Sequence, residues 1–97
     1  MRFEIILAPE AVEDFRRLRV NVRSIVRDSL ETHLRHEPRK TSRSRIKRLR
    51  GLARPQYRLR IGDIRIFYDV SAESVEVLAI VPKSEAAIWL EQFGKRE

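Results

Sequence analysis

The chain has 97 residues, 42% of them hydrophobic, which is enough for one compact domain over residues 1–97 and too little for two. It contains no cysteine, which excludes disulfides, thiolate nucleophiles and cysteine-based zinc sites and matches a reducing cytoplasm. With 21 Lys and Arg against 14 Asp and Glu the net charge is +7, which points to an anionic partner.

Phe3, Ile5 and Leu7 alternate with Arg2, Glu4 and Ile6 and predict a first strand, ended by Ala8-Pro9. This apolar run is too short for a secretion signal, and no stretch approaches the ~18 apolar residues of a membrane span. A cytoplasmic location is therefore expected. Pro9 suits a first helical position, Glu10, Glu13 and Asp14 favour the positive end of the helix dipole, and Val12, Phe15 and Leu18 form an apolar stripe. Asn21 is the expected N-cap of a second helix, in which Val22, Ile25, Val26, Ser29, Leu30, His33 and Leu34 keep helical spacing. Two helices with so short a link predict an antiparallel hairpin. His33, at the edge of the stripe, reads as a structural histidine, and two histidines three apart without a third ligand give no metal site.

Pro38 stops the second helix, and residues 37–45, charged and aperiodic, predict an exposed and mobile loop. The period then changes to two. Ile46 to Arg50 is a short strand candidate, Gln56 to Ile61 a second, and Gly62-Asp63 turns the chain into a third from Ile64 to Asp69. After a turn at Ser71–Ser74, Val75, Val77, Leu78, Ala79, Ile80 and Val81 form a strand that is apolar on both sides and therefore central. Pro82 ends it, and Ala87, Ile88, Leu90 and Glu91 predict a last helix stopped by Gly94. The expected fold class is α+β: an antiparallel sheet of about four strands, with an N-terminal helical hairpin and a C-terminal helix packed on one face.

The charge is concentrated. From Arg35 to Arg65 there are twelve basic residues and two acidic ones, a local charge of +10 that leaves the remainder near −3. A solvated arginine-rich loop would give the same run, so its placement on strands matters more than its total. Arg58 and Arg60 share a strand face, and the Gly62-Asp63 turn brings Arg65 beside Arg60, while Tyr57, Leu59 and Ile61 take the opposite face. One side of this hairpin is expected to be core and the other a cationic platform; an ordinary solvated sheet face is the alternative.

The element order, with Leu49-Arg50-Gly51-Leu52 and the run from Tyr57-Arg58-Leu59-Arg60 through Gly62-Asp63 to Ile66-Phe67-Tyr68-Asp69-Val70, resembles the RelE/ParE superfamily of toxins from type II toxin–antitoxin pairs. The similarity covers nearly the whole chain and is more specific for the superfamily than for the activity. The resemblance implies one of two branches. RelE-like members enter the ribosome and cleave mRNA, without a metal or other cofactor; ParE-like members inhibit DNA gyrase without cutting anything. The RelE-like branch is the first expectation, and an attenuated member that only binds its antitoxin is a third possibility.

Carried over by position, Arg60, Arg65 and Lys83 are the expected catalytic cations and Arg58 an RNA-binding partner. Lys47, Arg48 and Arg50 extend the contact. Trp89 stands where some members have a tyrosine; indole cannot exchange a proton as an acid or base, so Trp89 would stack on a base or pack in the core. Glu85 is the alternative candidate for proton transfer. The implied partners are an acidic, partly disordered antitoxin together with the ribosome and mRNA, or DNA gyrase in the other branch.

Overall fold

The hairpin formed by residues 57–70 is the centre from which the fold is built, and the computed structural model describes it together with the rest of residues 1–97. In chain order the elements are β1 (Glu4–Leu7), α1 (Pro9–Arg17), α2 (Val20–Leu34), β2 (Ile46–Arg48), β3 (Leu52–Arg54), β4 (Tyr57–Ile61), β5 (Ile64–Val70), β6 (Ser74–Pro82), α3 (Lys83–Phe93) and β7 (Lys95–Arg96). Gly62, at φ +54, supplies the left-handed residue of the turn between β4 and β5, a conformation that other residues adopt only with strain. Tyr57 then faces Tyr68, Leu59 faces Ile66, and Arg60 faces Arg65. Antiparallel β6 joins β5 on one side, and β2 joins β4 on the other.

The main sheet has five strands, in the order β1-β6-β5-β4-β2, instead of about four. Its departure from a purely antiparallel sheet is β1, which lies parallel to β6 with Ile5 opposite Val75 and Leu7 opposite Val77. Alternation predicts that residues 4–7 form a strand; it carries no information about which distant strand they join. The short β3 and β7 make a separate antiparallel pair.

One face of the sheet carries the larger core. Ala11 of α1 and Val26, Leu30 and Leu34 of α2 pack on Leu59, Ile66, Tyr68, Val77 and Ile80. Burying a side chain of this size stabilises the fold by about 1.5–3 kcal/mol. The link between α1 and α2 is the extended pair Leu18-Arg19, and the Arg27 guanidinium reaches back over the Phe15 ring at 5.7 Å. Asn21 is not the cap: α2 begins two residues earlier than that cap would place it, at Val20, with Arg19 in the cap position and no side chain bonded there.

The expectation that all helices share one face is corrected. α3 lies on the opposite face, where Ala86, Trp89 and Leu90 cover Phe67, Ala79 and Val81. Trp89 stacks on Phe67 with ring centroids 5.0 Å apart and planes 4° from parallel. β6 is apolar on both sides and needs a cover on each; the second cover is the helix that follows it directly. Between Phe67 and Tyr68 the β5–β6 register shifts, and the Ile80 amide on β6 donates to the Asp14 carboxylate of α1 at 2.9 Å.

Residues 37–45, expected to be mobile, are braced at several points. The Tyr68 hydroxyl donates to the Pro38 carbonyl at 2.7 Å inside the core, and burial followed by the neighbouring Tyr57 pushes its pKa up, which keeps it a neutral donor. Arg39 donates to the Ser71 carbonyl at 3.2 Å, and the Ser42 hydroxyl accepts the Arg45 and Ile46 amides. The Arg45 guanidinium donates to His33 Nε2 at 2.7 Å, which requires a neutral ring. Partial burial and then the charge of Arg45 lower the His33 pKa accordingly.

Two outcomes follow. Tyr68→Phe leaves the buried Pro38 carbonyl without its donor and should destabilise the protein by about 1–2 kcal/mol in urea unfolding, without changing the fold by circular dichroism. Because the folded state holds His33 below its ordinary pKa near 6.5, the unfolded chain takes up the proton first as pH falls. Stability should therefore be level in this respect above about pH 6.5 and decline below it, and His33→Gln should remove that part of the decline.

Candidate nucleic-acid interface

The register of β2, β4 and β5 determines which charges meet. Lys47 lies opposite Arg58, Arg58 opposite Phe67, and Arg60 opposite Arg65, so Lys47, Arg58, Arg60 and Arg65 share the face that α3 only partly covers. Side chains directly opposite on adjacent strands lie about 5 Å apart at Cβ, and like charges so placed repel. None of the six ion pairs in the molecule involves any of these four residues or Lys83. The cationic platform expected from the hairpin is present as geometry, with no carboxylate of the chain neutralising it.

Its members differ in what surrounds them. Arg60 is exposed. Arg58 is half-buried, its Nε has no hydrogen-bond partner, and desolvation followed by the charges of Arg65 and Arg60 lowers its pKa. Arg65, expected to be a free cation, is only 6% exposed, and its guanidinium donates to the carbonyls of Gly62 at 2.8 Å and Ile64 at 3.0 Å. It therefore holds the β4–β5 turn in shape and contributes its charge from underneath.

Lys83 opens α3 and is exposed, and its amide donates to the Asp63 carbonyl at 2.7 Å, which brings the helix start to the same turn. Glu85 is exposed in the first turn of α3. Arg50 is exposed in the turn before β3. Arg48 points elsewhere: it pairs with Tyr57 on the core-side face, stands 5.3 Å over that ring, and donates to the Leu49 and Gln56 carbonyls. Trp89 has one ring face taken by Phe67 and its neighbour Phe93 at 5.6 Å, so it packs as part of the second core.

The largest recess, about 650 Å³, lies away from these cations, between α1 and α3, with Asp14, Arg17, Trp89 and Phe93 among its walls. A chain of phosphates is better matched by the open cationic face than by this recess of mixed charge. The residues that sequence reasoning missed here are those that carry the platform by backbone contact. Arg45, in the loop just before β2, accepts the Arg60 amide at 2.9 Å, and Leu49 packs beneath the second core.

Residues 5–87 match the model of a family described as the ParE toxin of the type II toxin–antitoxin system parDE. The chain belongs to that family. It is accordingly a toxin of a type II toxin–antitoxin system, within the RelE/ParE superfamily. The fold is similar to that in the crystal structure of the RelB–RelE antitoxin–toxin complex from Methanococcus jannaschii, with a TM-score of 0.61 and 17% identity over 87% of this chain and 96% of that one. No curated protein sequence matches the chain.

Arg58 and Arg65 should respond oppositely to loss of charge. Arg58→Met removes a desolvated, repelled guanidinium and should leave stability unchanged or raise it at low salt. Arg65→Met strips two turn carbonyls of their donor and should cost about 1–3 kcal/mol, both measured by urea unfolding.

Proposed function

We propose that this toxin acts on RNA, with mRNA on the ribosome as the target and Lys47, Arg58 and Arg60 as the groups that hold the phosphate backbone. The observation that carries the reading is the run of unpaired cations on one sheet face, of which Arg58 is desolvated and without an acceptor for its Nε. Such an arrangement is costly in the free protein and is relieved by a bound polyanion.

RNA supplies its own nucleophile. The 2′-oxygen attacks the adjacent phosphorus, the bond to the 5′-oxygen breaks, and a 2′,3′-cyclic phosphate and a 5′-hydroxyl result. Fixed cations assist by aligning the 2′-oxygen with the leaving oxygen and by stabilising the charge on the phosphorane. Arg60 and Lys83 are the exposed candidates for that contact, with Arg65 as the positioning residue that fixes the hairpin between them. Glu85 is the candidate for moving the proton.

A specific observation favours a second reading, inhibition of DNA gyrase by binding alone. Arg65 is engaged in the turn and Trp89 in the second core, so two of the groups expected to act on RNA are structurally occupied. In either reading a separate acidic antitoxin neutralises the toxin.

The test is expression without antitoxin, with transcript 5′ ends and plasmid supercoiling measured in the same cells. RNA cleavage predicts new 5′ ends on translated messages with unchanged supercoiling, and Arg60→Ala with Lys83→Ala should abolish growth arrest in a protein that remains folded. Altered supercoiling with intact transcripts, or full toxicity of the double variant, would overturn the proposal.

A further inference from the structure

One arginine has its backbone on the cationic face of the sheet and its side chain elsewhere. β2 and β4 pair Ile46 with Leu59, Lys47 with Arg58 and Arg48 with Tyr57. The ladder continues one residue outward, where the Arg60 amide donates to the Arg45 carbonyl at 2.9 Å, so Arg45 stands opposite Arg60, which in turn stands opposite Arg65. Ile46 is buried in the larger core, and alternation about it assigns Arg45 to the same side as Lys47. Three arginines thus occupy one row across β2, β4 and β5, where neighbouring Cβ atoms lie about 5 Å apart.

The Arg45 guanidinium is drawn off that row. It passes around β2, which ends the sheet, and donates at 2.7 Å to His33 Nε2 in the last turn of α2, the helix that packs on the opposite face. A carboxylate would hold an arginine at any ordinary pH, whereas an imidazole accepts its hydrogen bond only while the ring is neutral. The charged groups that share the recess with His33 are Glu37, Lys40 and Arg45, all from the loop, while β2 contributes Ile46 and α2 adds Thr32. The Glu37 carboxylate is taken by Lys40 at 3.5 Å, and no carboxylate pairs with Arg45. The neutral ring is therefore what keeps this cation away from Arg60.

We propose that Arg45 is a further phosphate contact of the cationic face and that His33 is the positioning residue that withholds it. A proton taken up at Nε2 removes the lone pair that accepts the guanidinium and puts a positive charge beside it. Arg45 is then repelled and returns to the row it shares with Arg60, where a phosphate oxygen replaces the ring as its acceptor. Partial burial and the charge of Arg45 keep the ring neutral in the free protein. A phosphate that draws Arg45 away lifts the second of these, so RNA binding and protonation of His33 favour one another. For its ligand this rests on the RNA reading above; the His33–Arg45 contact and its loss on protonation are independent of it.

The experiment uses the full chain and a fluorescein-labelled 2′-O-methyl oligouridylate of about ten nucleotides, which cannot be cleaved through its 2′-oxygen. Binding is measured over a series of salt concentrations between about pH 5 and 8, the range in which histidine titrates, with circular dichroism checking the fold at each pH. As pH falls through the His33 transition, binding should tighten severalfold. The slope of log affinity against log salt should steepen by about 0.7, the share of one added phosphate contact on a single strand. Arg45→Gln should lose this change of slope. His33→Gln, whose amide oxygen accepts the guanidinium at every pH, should lose it too, while His36→Gln, at an exposed histidine outside the contact, should retain it. In parallel, nitrogen NMR without RNA should show His33 Nε2 unprotonated and the Arg45 guanidinium protons slow to exchange at high pH, with both features lost together on acidification.

A change of slope that persists in Arg45→Gln assigns the effect to the imidazolium itself and overturns the proposal. So does a change that persists in His33→Gln, or an Arg45–His33 contact that survives protonation. Loss of the contact on acidification with an unchanged slope for RNA sinks the role of Arg45 alone and leaves the RNA reading standing. Absence of RNA binding by the unaltered chain at every pH sinks the RNA reading and the phosphate contact of Arg45 with it.

Discussion

Two guanidiniums stand directly opposite one another across the β4–β5 hairpin, and the surrounding structure is arranged around that contact. Arg60 and Arg65 occupy paired positions next to the turn, where repulsion would splay the strands. The two charges are separated by giving them different environments. Arg65 turns into the hairpin and is held by the carbonyls of Gly62 and Ile64, while Arg60 extends to solvent. The remaining resistance comes from the other side of the same strands, where Leu59 and Ile66 are fully buried and hold the pair together from beneath. A hydrophobic face that fixes the register thus makes a like-charged face tolerable, and a one-residue slip would lose both, since it would exchange the two faces.

The second core sets the limits of the charged face. Phe67, Ala79 and Val81 continue the rows that hold Arg58, Arg60 and Arg65, and α3 covers them with Trp89 and Leu90. The sheet surface therefore changes along each row from dry and apolar at β6 to wet and cationic at β4 and β2. Arg65 sits at the boundary, with apolar Val81 opposite it on β6 and Arg60 opposite it on β4, and it is buried without a carboxylate because its hydrogen bonds go to backbone oxygens of the turn. The start of α3 is bound to the same turn through the Lys83 amide, so the position of Lys83 and the shape of the hairpin are one geometric unit.

The sequence makes the local parts of this arrangement legible. Alternation from Tyr57 to Tyr68 about Gly62-Asp63 specifies the hairpin, its register and the common face of Arg58, Arg60 and Arg65, because all of these depend on residues within a dozen positions of one another. Long-range choices are not written in that way. Residues 4–7 read as a strand, yet their parallel partner lies some seventy residues on and is selected by packing between α1 and β6. Val75 to Val81 are apolar on both sides, which requires two covers without naming them; that α3 supplies one is decided by chain connectivity after Pro82. Individual side chains misled where a backbone partner took them. Arg65 went to turn carbonyls, Arg48 to Tyr57 and the Gln56 carbonyl, and residues 37–45, polar throughout except for Pro38, were held by Tyr68 and Ser42.

The geometry of the sheet also constrains how the toxin is silenced. From β1 to β4 there are three strand spacings, about 14 Å at ~4.8 Å each. A strand bound along β1 would lie farther still from Arg58 and Arg60 and could not cover them by itself. On the RNA reading proposed above, an antitoxin that used only this edge would leave the cationic face open, so neutralisation would require either that its chain continue across the sheet or that its negative charge act at a distance. Charge acting over this span is weakened in physiological salt, where the screening length is about 8 Å. Direct coverage is therefore the stronger means, and a long, extended and acidic partner is better suited to it than a small compact one, because a chain that orders only on binding can reach both an edge and a distant face.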